Sequence, residues 1–346
     1  MFSVTTKSRI RVIVVTYNSE NDIAECLSSL TRQKSVDTEI LVVDNASIDR
    51  TVDIVTHDFP KVSLLRNRSN MGFTQACNLG LRSSLPEYVA FVNPDTVSLE
   101  DWLHIAVSTL DSMKEAGAFQ AKITLYDDRT KLNSIGNEAN FLMFAWPEGY
   151  MDPDSNRNEV RRIAFASGCA AVYRRECLQK VKGFDESFFM YGDDLDLGLR
   201  SFICGYDTVV STNSVVVHKY VFSESPQKYF LLERNRLRTM LKVYRNRTLI
   251  AVLPMIVASE CAVLLTALMQ GWLLHKLASY GSLIKHGNSL MRSRLETQRG
   301  RVRSDHELLQ VLQGGIYFGP FKSSGILRIG NRMLEKYRNF LLQLKL

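Results

Sequence analysis

The sequence lacks closely spaced cysteines, and we do not expect any stretch near its N-terminus to act as an export signal. Its six cysteines are scattered along 346 residues, and no two of them form a Cys-x-x-Cys pair. The apolar run near the N-terminus is short and continues directly into Thr16, Tyr17 and Asn18, which is unlike a signal peptide. We therefore expect the cysteines to be reduced thiols and the main domain to lie in the cytosol.

Excess positive charge is missing from most of the chain. The net charge is +7, but residues 275–346 alone hold 13 Lys and Arg against 4 Asp and Glu, a net +9. Residues 1–274 therefore carry 30 basic against 32 acidic residues, a net −2. This distribution argues against a nucleic-acid partner. Basic charge gathered in one segment more often indicates that the segment contacts an anionic surface.

Two sequence features with strong structural meaning are also absent. No Gly-x-Gly-x-x-Gly follows the first predicted strand, which excludes a nucleotide-dependent dehydrogenase. No internal repeat or low-complexity segment is found. At 45% hydrophobic residues, the chain can form one large domain with an appendage, or two domains.

The N-terminal part alternates between short apolar runs and segments with helical spacing. Strands are predicted at 11–17, 39–44, 62–67 and 88–93, and a helical segment follows each of the first three. This alternation predicts an α/β fold whose mostly parallel sheet is flanked by helices. Ligands bind such sheets at the carboxyl ends of the strands, and all four predicted strands end in polar residues.

The next part of the chain is less regular. Residues 115–165 are rich in polar and turn residues, and we interpret them as an excursion over the site. A helix is predicted to begin near Gly192. Further strands are predicted at 169–175, 207–211 and 215–220. A first domain is accordingly placed at 1–222.

From residue 223 the chain becomes basic and then apolar, which defines a helical second region at 223–346. Residues 248–274 contain one charge, Glu260, and are long enough to cross a bilayer. Basic residues flank both ends, against the positive-inside bias, and Pro254 and Glu260 interrupt the segment. An interfacial or re-entrant helical hairpin is favoured, and a buried helix pair in a soluble domain is the alternative. The flanking cations are Arg234, Arg236, Arg238, Lys242, Arg245, Arg247, Lys276, Lys285, Arg292 and Arg294.

Polar residues at the strand ends are candidates for binding a ligand. Asp95 follows Asn93 and Pro94, where a carboxylate could hold a divalent ion that bridges two phosphates. A capped Asx-type turn is the alternative. Asp44 could accept an imide N–H from a pyrimidine, and Asn45 offers both a donor and an acceptor.

A segment with glycine opens the third predicted helix. It contains Asn70, Gly72, Phe73 and, further on, Asn78. Gly72 lets a ligand approach the backbone closely, and a helix N-terminus favours anions. Simple helix capping is the alternative for these residues.

The densest acidic cluster is formed by Asp193, Asp194 and Asp196. Acids are favourable at any helix N-terminus, but three acids in four residues exceed what capping needs. Asp193 and Asp194 differ by roughly 100° around a helix, so one of them can face a crevice as a general base. His218 ends an apolar strand, where it is either structural or a neutral metal ligand.

In this order, the segments resemble a family 2 glycosyltransferase of the GT-A fold, in its rhamnosyltransferase-like branch. The resemblance extends from about residue 10 to 245. The segments that carry it are VTYN (15–18), VDNAS (43–47), NMGFTQACN (70–78), NPDT (93–96), SGCAAVYRRE (167–176), GFDESFFMYGDDLDLGLR (183–200), VVH (216–218) and ERNRLR (233–238).

The resemblance implies roles for individual residues. Asn93 replaces the first acid of an Asp-x-Asp motif, which leaves Asp95 as the main side-chain ligand of Mg²⁺ or Mn²⁺, with His218 beside it. Asp194 is the implied base, and Asp193 replaces the glutamate of a Glu-Asp pair. Arg234 would reach a phosphate of the donor or of a lipid-linked acceptor, and a solvated helix charge is the alternative. The implied substrate-binding residues are Thr16, Tyr17, Asn18, Asp44, Asn45, Asn70, Gly72, Phe73, Asn78 and Asn93.

The implied activity is inverting transfer of a sugar from a nucleotide-diphosphate sugar to a hydroxyl of a lipid-linked or surface-glycan acceptor. Gln-x-x-Arg-Trp, the mark of processive members, is absent. Deoxythymidine-diphospho-rhamnose is the implied donor, with uridine or guanosine diphosphate sugars as alternatives. The competing hypothesis is an inactive scaffold that binds nucleotide sugars or glycans, because Asn93 and Asp193 depart from the family pattern.

The expected location is the cytoplasmic face of the membrane. Residues 248–274 and their basic flanks would contact the membrane surface, and a homo-oligomer is left open. We expect Asp95, Asp194 and His218 to converge around one bound sugar diphosphate.

Overall fold

The computed structural model describes residues 9–82, 84–155, 158–221, 224–318 and 325–345. The strands in these ranges are β1 (Ile10–Thr16), β2 (Thr38–Asp44), β3 (Ser63–Arg66), β4 (Tyr88–Val92), β5 (Thr96–Ser98), β6 (Ala116–Leu125), β7 (Leu132–Ser134), β8 (Asn137–Ala139), β9 (Ala145–Pro147), β10 (Val160–Ile163), β11 (Ala170–Arg174) and β12 (Asp207–His218). The helices are α1 (Ile23–Thr31), α2 (Thr51–Asp58), α3 (Phe73–Gly80), α4 (Trp102–Ser112), α5 (Arg175–Val181), α6 (Asp193–Ile203), α7 (Pro226–Val243), α8 (Asn246–Met269), α9 (Leu273–Lys285), α10 (Gly287–Arg299), α11 (Asp305–Val311) and α12 (Gly325–Gln343).

Most of these strands form one mixed sheet. Its order is β10-β12-β6-β11-β4-β1-β2-β3, with β5 paired to β12 and β7 paired to β6. The strands β3, β2, β1 and β4 are parallel, whereas β11 lies antiparallel between β4 and β6. This arrangement confirms the predicted mostly parallel sheet flanked by helices, and it brings the carboxyl ends of β1, β2 and β4 to one edge.

The centre of the sheet is buried on both faces, as its continuous apolar strands predicted. Every residue of β1 and of β4 is buried. Because side chains alternate along a strand, Val12 packs with α1 and α4 on one face, and Ile13 packs with α3 and α5 on the other.

The interpretation of residues 115–165 is wrong at its beginning, where β6 crosses the middle of the sheet. Nine of the ten residues of β6 are buried, although its sequence includes Gln120 and Lys122. Lys122 Nζ pairs with Asp154 at 2.6 Å, and Gln120 hydrogen-bonds to the side chains of Ser134 and Asn137. Polar side chains can be buried when they keep partners, which is why composition alone concealed this strand.

The strands predicted separately at 207–211 and 215–220 form one strand, β12. It continues from Asp207 to His218, and its register against β6 shifts between Ser211 and Val215. An irregularity of this kind accommodates the polar residues between the two apolar runs without ending the strand.

Residues 248–269 of the apolar segment form one continuous helix, so the segment does not contain the two similar arms of the predicted hairpin. Helix α8 extends through Pro254, and Gly271, with a φ of 78°, lies in the turn before α9. A proline removes one helical hydrogen bond, but its fixed φ is compatible with the helix. By length and composition α8 could cross a membrane, since its mean hydropathy reaches 2.2 and only 11% of that apolar window is buried in the protein.

Glu260, the one charge in this segment, points into the protein. It accepts a hydrogen bond from Tyr280 and pairs with Arg236 and Lys276, both of which also pair with Glu233. Lys276 is completely buried. The network joins α8 to α7 and α9, and it removes two of the predicted flanking cations from the surface.

One hydrophobic cluster contains residues from both predicted regions. Phe141, Phe165 and Leu195 of the first region pack with Leu237 and Tyr244 of the second. The predicted boundary at 222–223 lies outside the described residues. The helical region therefore shares a core with the segments around the sheet, and the division into two domains stays a prediction.

Candidate active site

One cleft brings together several of the predicted site residues. It has a volume of about 420 Å³ and is lined by Phe73, Asn93, Asp193, Asp194 and His218, among others. A second cavity of about 270 Å³, lined by parts of α5, α6 and α10, contains none of the predicted residues. The first cleft is therefore the candidate active site.

The pairing of β5 with β12 brings Asp95 to His218. After Pro94 the chain enters β5, in which Thr96 lies opposite His218. His218 Nε2 lies 3.3 Å from Asp95 Oδ2, and His218 Nδ1 lies 2.9 Å from Asn133 Oδ1 on β7. Two residues that are distant in the chain thus meet because their strands are antiparallel neighbours.

The surroundings of His218 favour its protonated form. Burial lowers the pKa of His218, but the neighbouring Cys169 and Asp95 outweigh burial and raise the pKa to about 10. The contact with the Asp95 carboxylate thus favours the imidazolium form, whereas the sequence predicted either a structural histidine or a neutral metal ligand.

Asp95 carries an oxygen that suits a cation. Its Oδ1 atom is buried and has no hydrogen-bond partner within the described part of the chain. An unpaired buried oxygen is unfavourable, and a hard divalent ion would satisfy it. No group of three or more His, Cys, Asp or Glu side chains among the described residues could hold a metal. Asp95 and His218 could therefore supply only some of the ligands that a metal ion needs. His218 would release a proton when the metal ion binds.

The N-terminus of α6 presents two acids to the same cleft. Asp193 is 6% exposed and Asp194 is more accessible, and both line the cleft. Asp194 Oδ1 accepts a hydrogen bond of 2.8 Å from the N–H of Leu195. Asp196 instead forms buried ion pairs with Lys242 and Arg200. The acidic cluster is thus divided between the cleft and the protein interior.

Burial distinguishes the two cleft acids. It raises the pKa of Asp194 to about 6, although N–H groups of Leu195 and Gly168 donate to the carboxylate. Burial and the charge of Asp194 together raise the pKa of Asp193 well above its ordinary value. Asp194 is therefore the acid that ionises first, and near neutral pH it can accept a proton.

The loop before α6 has an uncommon backbone. Phe189 and Tyr191 have φ values of 67° and 65°, in the left-handed region that residues with side chains rarely adopt. Such conformations persist only where neighbouring groups fix them, and they are concentrated at functional sites. The loop leads directly into Asp193 and Asp194, so its conformation determines where the two acids lie.

Asn235 on α7 holds this loop in place. Its buried side-chain amide donates to three backbone carbonyls of the loop. The acceptors are Phe188 at 3.2 Å, Met190 at 3.0 Å and Tyr191 at 2.7 Å. Asn235 belongs to the ERNRLR segment (233–238), whose resemblance to the family implied no role for it. A polar residue on the buried face of a helix is the signal that could have identified it.

Thr16, Asn18 and Asp44 form a hydrogen-bonded edge at the ends of β1 and β2. Thr16 Oγ1 donates to Asp44 Oδ1 at 3.0 Å, and Asn18 Oδ1 accepts from the N–H of Ile48 at 3.0 Å. Ser47 also donates to Asp44, which is completely buried. Tyr17, by contrast, is 51% exposed.

Asn45, Asn70 and Gly72 lie next to this edge. Asn45 Nδ2 donates to the carbonyl of Gly72 at 3.1 Å, and the N–H of Gly72 donates to Asn70 Oδ1 at 2.9 Å. Gly72 has a φ of 82°, and a Cβ atom there would lie 2.5 Å from the ring of Phe189. Packing against the loop before α6 therefore requires glycine at position 72, whether or not a ligand also approaches its backbone.

Asn78 and Arg234 support the loop before α6. Neither is among the described residues that line the cleft. Asn78 exchanges two hydrogen bonds of 2.9 Å with the backbone of Phe184. Arg234 Nη2 donates to the carbonyls of Ser187 and Phe188 at 3.1 and 2.7 Å. Arg234 is thus neither a solvated helix charge nor a cleft residue in this structure.

Other parts of the cleft wall come from residues that sequence reasoning did not assign to the site. They share no motif and are distributed over strands, loops and α7. They include Asn133, Asn137, Trp146, Tyr191, Tyr220, Lys228 and Leu232. The helical spacing of Lys228 and Leu232 was a usable signal, whereas the others depend on how the loops fold over the sheet.

Comparisons with known proteins agree with this geometry. The family model described as "Glycosyl transferase family 2" matches residues 11–182. The chain belongs to this family. The N-acetylglucosaminyl-diphospho-decaprenol L-rhamnosyltransferase of Mycobacterium tuberculosis (strain ATCC 25618 / H37Rv) is 26% identical to this glycosyltransferase over 230 residues, which are 60% of this chain and 75% of the relative.

Solved structures show the fold of this glycosyltransferase. S. aureus TarS 1–349 superposes with a TM-score of 0.51 at 17% identity, covering 95% of this chain and 89% of that chain. The mannosyltransferase PcManGT from Pyrobaculum calidifontis superposes with a TM-score of 0.50 at 18% identity, covering 96% and 86%. These likenesses establish a GT-A-like fold with a C-terminal helical region.

Proposed function

We propose that this glycosyltransferase moves one sugar, with inversion, from a nucleoside-diphosphate sugar to a hydroxyl of a lipid-linked or surface-glycan acceptor. The observation that carries the proposal is the cleft lined by both Asp194, a carboxylate with a pKa of about 6, and His218, which is paired with Asp95 outside the cleft lining. A transferase needs a base for the acceptor hydroxyl and positive charge for the departing diphosphate, and the cleft contains candidates for both.

In this proposal Asp194 takes the proton from the acceptor hydroxyl, whose oxygen attacks the anomeric carbon. The bond from that carbon to the diphosphate oxygen breaks on the opposite face, so a single displacement inverts the configuration. Thr16, Asp44, Asn45 and Phe73 would contact the nucleotide at the edge of the sheet. Asp193, protonated beside Asp194, would donate a hydrogen bond rather than act as a second base.

The proposed cofactor is Mg²⁺ or Mn²⁺. Asp95 would hold it through the buried Oδ1 atom, with His218 as a second ligand after loss of its proton. When bound, the ion supplies charge neutralisation for the leaving nucleoside diphosphate. The structure of PcManGT that resembles this chain was determined with GDP-Man and Mn²⁺.

Rhamnose is the proposed sugar, and deoxythymidine diphosphate is the proposed carrier. The support for rhamnose is the M. tuberculosis relative, whose name gives L-rhamnosyl transfer and N-acetylglucosaminyl-diphospho-decaprenol. Uridine and guanosine diphosphate sugars stay as alternatives, since S. aureus TarS was crystallised with UDP-GlcNAc.

A screen of nucleotide sugars for released nucleoside diphosphate tests this function. We expect one donor to be turned over with Mn²⁺ present, and we expect EDTA to lower the rate by at least about 10²-fold. Asp95→Asn should reproduce the EDTA effect, while Asp53→Asn, a change at an exposed position on α2, should not. Donor binding without release of diphosphate in every case would favour the scaffold hypothesis and contradict the proposal.

We further propose that α8 lies along the cytoplasmic face of a membrane without crossing it. Its exposed side is apolar, with Ile250, Leu265 and Leu268 at 72%, 59% and 62% exposure. Its other side is joined to the buried ion pairs of Glu260, which could not enter a bilayer at reasonable cost. The remaining exposed flank cations, such as Arg247, would face anionic lipid.

Co-sedimentation with anionic phospholipid vesicles tests this orientation. We expect the double substitution Leu265→Glu and Leu268→Glu to reduce the bound fraction at least about fivefold, because two charges would enter the apolar layer. Ile48→Glu is the matched control, since Ile48 is 91% exposed in the N-terminal region. Equal binding of both variants and the unchanged protein would contradict the membrane orientation.

A further inference from the structure

Asn133 lies at an irregularity of the strand pairing beside the cleft. Strand β7 is antiparallel to β6, and residues 132 and 134 of β7 lie opposite two consecutive residues of β6. Asn133 is therefore the extra residue of a β-bulge. Bulges redirect a side chain out of the regular alternation of a strand, and they are frequent next to active sites. Asn133 is only 7% exposed, and it lines the cleft.

The side-chain amide of Asn133 is held by His218 at one end only. Its Oδ1 atom lies 2.9 Å from His218 Nδ1. An amide oxygen can only accept, so Nδ1 donates in this contact, and the amide NH₂ group of Asn133 is directed elsewhere. Nδ2 of Asn133 has no hydrogen-bond partner within the described part of the chain. It is therefore a fixed donor that is available to a ligand in the cleft.

Two neighbouring polar residues of the same cleft wall use their donors within the protein. Asn137 Nδ2 donates to Gln120 Oε1 at 2.9 Å. The hydroxyl of Ser134 donates to the carbonyl of Gly136 at 2.6 Å. Both residues line the cleft, but these bonds are needed to keep their buried side chains satisfied. Asn133 differs from them because its donor remains free.

The position of this donor suits a sugar hydroxyl better than a phosphate. His218 Nε2 faces Asp95 at 3.3 Å, so the proposed metal and diphosphate lie at one side of the imidazole ring and Asn133 lies at the other. Phosphates favour charged donors, whereas a neutral amide N–H suits a hydroxyl oxygen. The transferred sugar is bonded to the diphosphate, so its ring lies beside that group. Trp146 and Phe165 line the same cleft and offer an apolar surface to the ring.

We propose that Asn133 binds the transferred sugar by donating a hydrogen bond from Nδ2 to one of its ring hydroxyls. The inference rests on the proposed function and adds a specificity-determining residue to the donor site. The bond to His218 orients the amide before the sugar arrives. A donor that lacks this hydroxyl, or presents it in the inverted configuration, would leave the buried N–H unpaired and would bind more weakly.

Calorimetric titration with Mn²⁺ and without an acceptor tests this inference. The probe is the nucleotide sugar that is turned over in the donor screen, which in the proposed case is deoxythymidine-diphospho-rhamnose. We expect Asn133→Ala to weaken its binding at least about fivefold, because one hydrogen bond is lost. The affinity for the nucleoside diphosphate alone should change by less than about twofold. Asn339→Ala, at an exposed position on α12, should change neither affinity.

A mutant cycle between Asn133 and the sugar identifies the contact. Donors with each ring hydroxyl removed in turn are titrated against both proteins. For one of these deoxy donors, Asn133→Ala and the unchanged protein should bind within about twofold of each other, since the contact is already missing. The other deoxy donors should keep the fivefold difference. Asn133→Asp keeps an oxygen for His218 and removes the donor, so it should lose the same hydroxyl dependence even if the alanine variant does not fold.

Three results would overturn the inference. Equal binding of the full donor by Asn133→Ala and the unchanged protein would show that the amide makes no contact with it. An equal loss with every deoxy donor would show that no sugar hydroxyl is the partner. A loss of affinity for the nucleoside diphosphate as large as that for the full donor would place Asn133 at the diphosphate.

Failure of the proposed function gives a different result. If no nucleotide sugar is turned over but one still binds with the expected dependence on Asn133, the proposed function alone is contradicted. If a nucleotide sugar is turned over and its hydroxyls show no dependence on Asn133, the inference about Asn133 alone is contradicted.

Discussion

Replacing Asp194 by asparagine is expected to lower the rate of sugar transfer by about 10³-fold, while nucleotide affinity changes by less than about twofold. The carboxylate lines the cleft and has a pKa raised to about 6 by burial, so it is available as a base near neutral pH. An amide has nearly the same shape but cannot accept the proton. Released nucleoside diphosphate measures the rate, and calorimetric titration measures the affinity.

Asp53→Asn is the matched control for this substitution, because it makes the same chemical change at an exposed position. The unchanged enzyme supplies a second readout. Below about pH 6 the carboxyl of Asp194 is protonated, so kcat/KM should fall about tenfold per pH unit as the pH decreases. Full turnover by Asp194→Asn, or a flat profile between pH 5 and 7, would show that another group is the base.

Replacing Lys242 by methionine is expected to lower the free energy of unfolding by about 3–5 kcal/mol. Lys242 is completely buried on α7, and its ammonium lies 2.7 Å from Asp185 and 2.6 Å from Asp196. Removal of the cation would leave two largely buried carboxylates with less compensating charge. Urea unfolding followed by circular dichroism measures the effect.

Lys180→Met is the matched control, since Lys180 lies at an exposed position on α5 and its replacement should change stability by less than about 0.5 kcal/mol. If Lys242→Met is as stable as this control, the buried ion pairs contribute little to holding α7 against α6. A loss of stability for Lys242→Met alone would support the view that α7 belongs to the same folded unit as α6, which carries Asp193 and Asp194.

The sheet and the position of the site were predictable because their signals are local. Apolar runs ending at Thr16, Asp44 and Asn93 indicated parallel strands, and parallel strands place their carboxyl ends at one edge. Where a strand contains buried polar side chains, as β6 does with Gln120 and Lys122, the local signal disappears. The partners that make such burial tolerable are distant in the chain, so composition could not reveal the strand.

The basic character of α7 shows the same limit more strongly. Read as a sequence, its arginines and lysines indicate a solvated or membrane-facing helix. In the structure Arg236 and Lys242 are buried, and Asn235 fixes the loop that positions Asp194. Whether a cation faces water or a carboxylate depends on helix packing, which a single sequence does not specify.

The sequence by itself determined the family, the alternating α/β order and the candidate acids, because each depends on residue types at short spacing. Only the tertiary structure decided that Asp95 meets His218, that both Asp193 and Asp194 line the cleft, and that Lys228 does so where Arg234 does not. The physical reason is that these relations arise from strand pairing and helix packing between distant segments. Burial and charge at those contacts then set which groups can carry a proton or bind an anion.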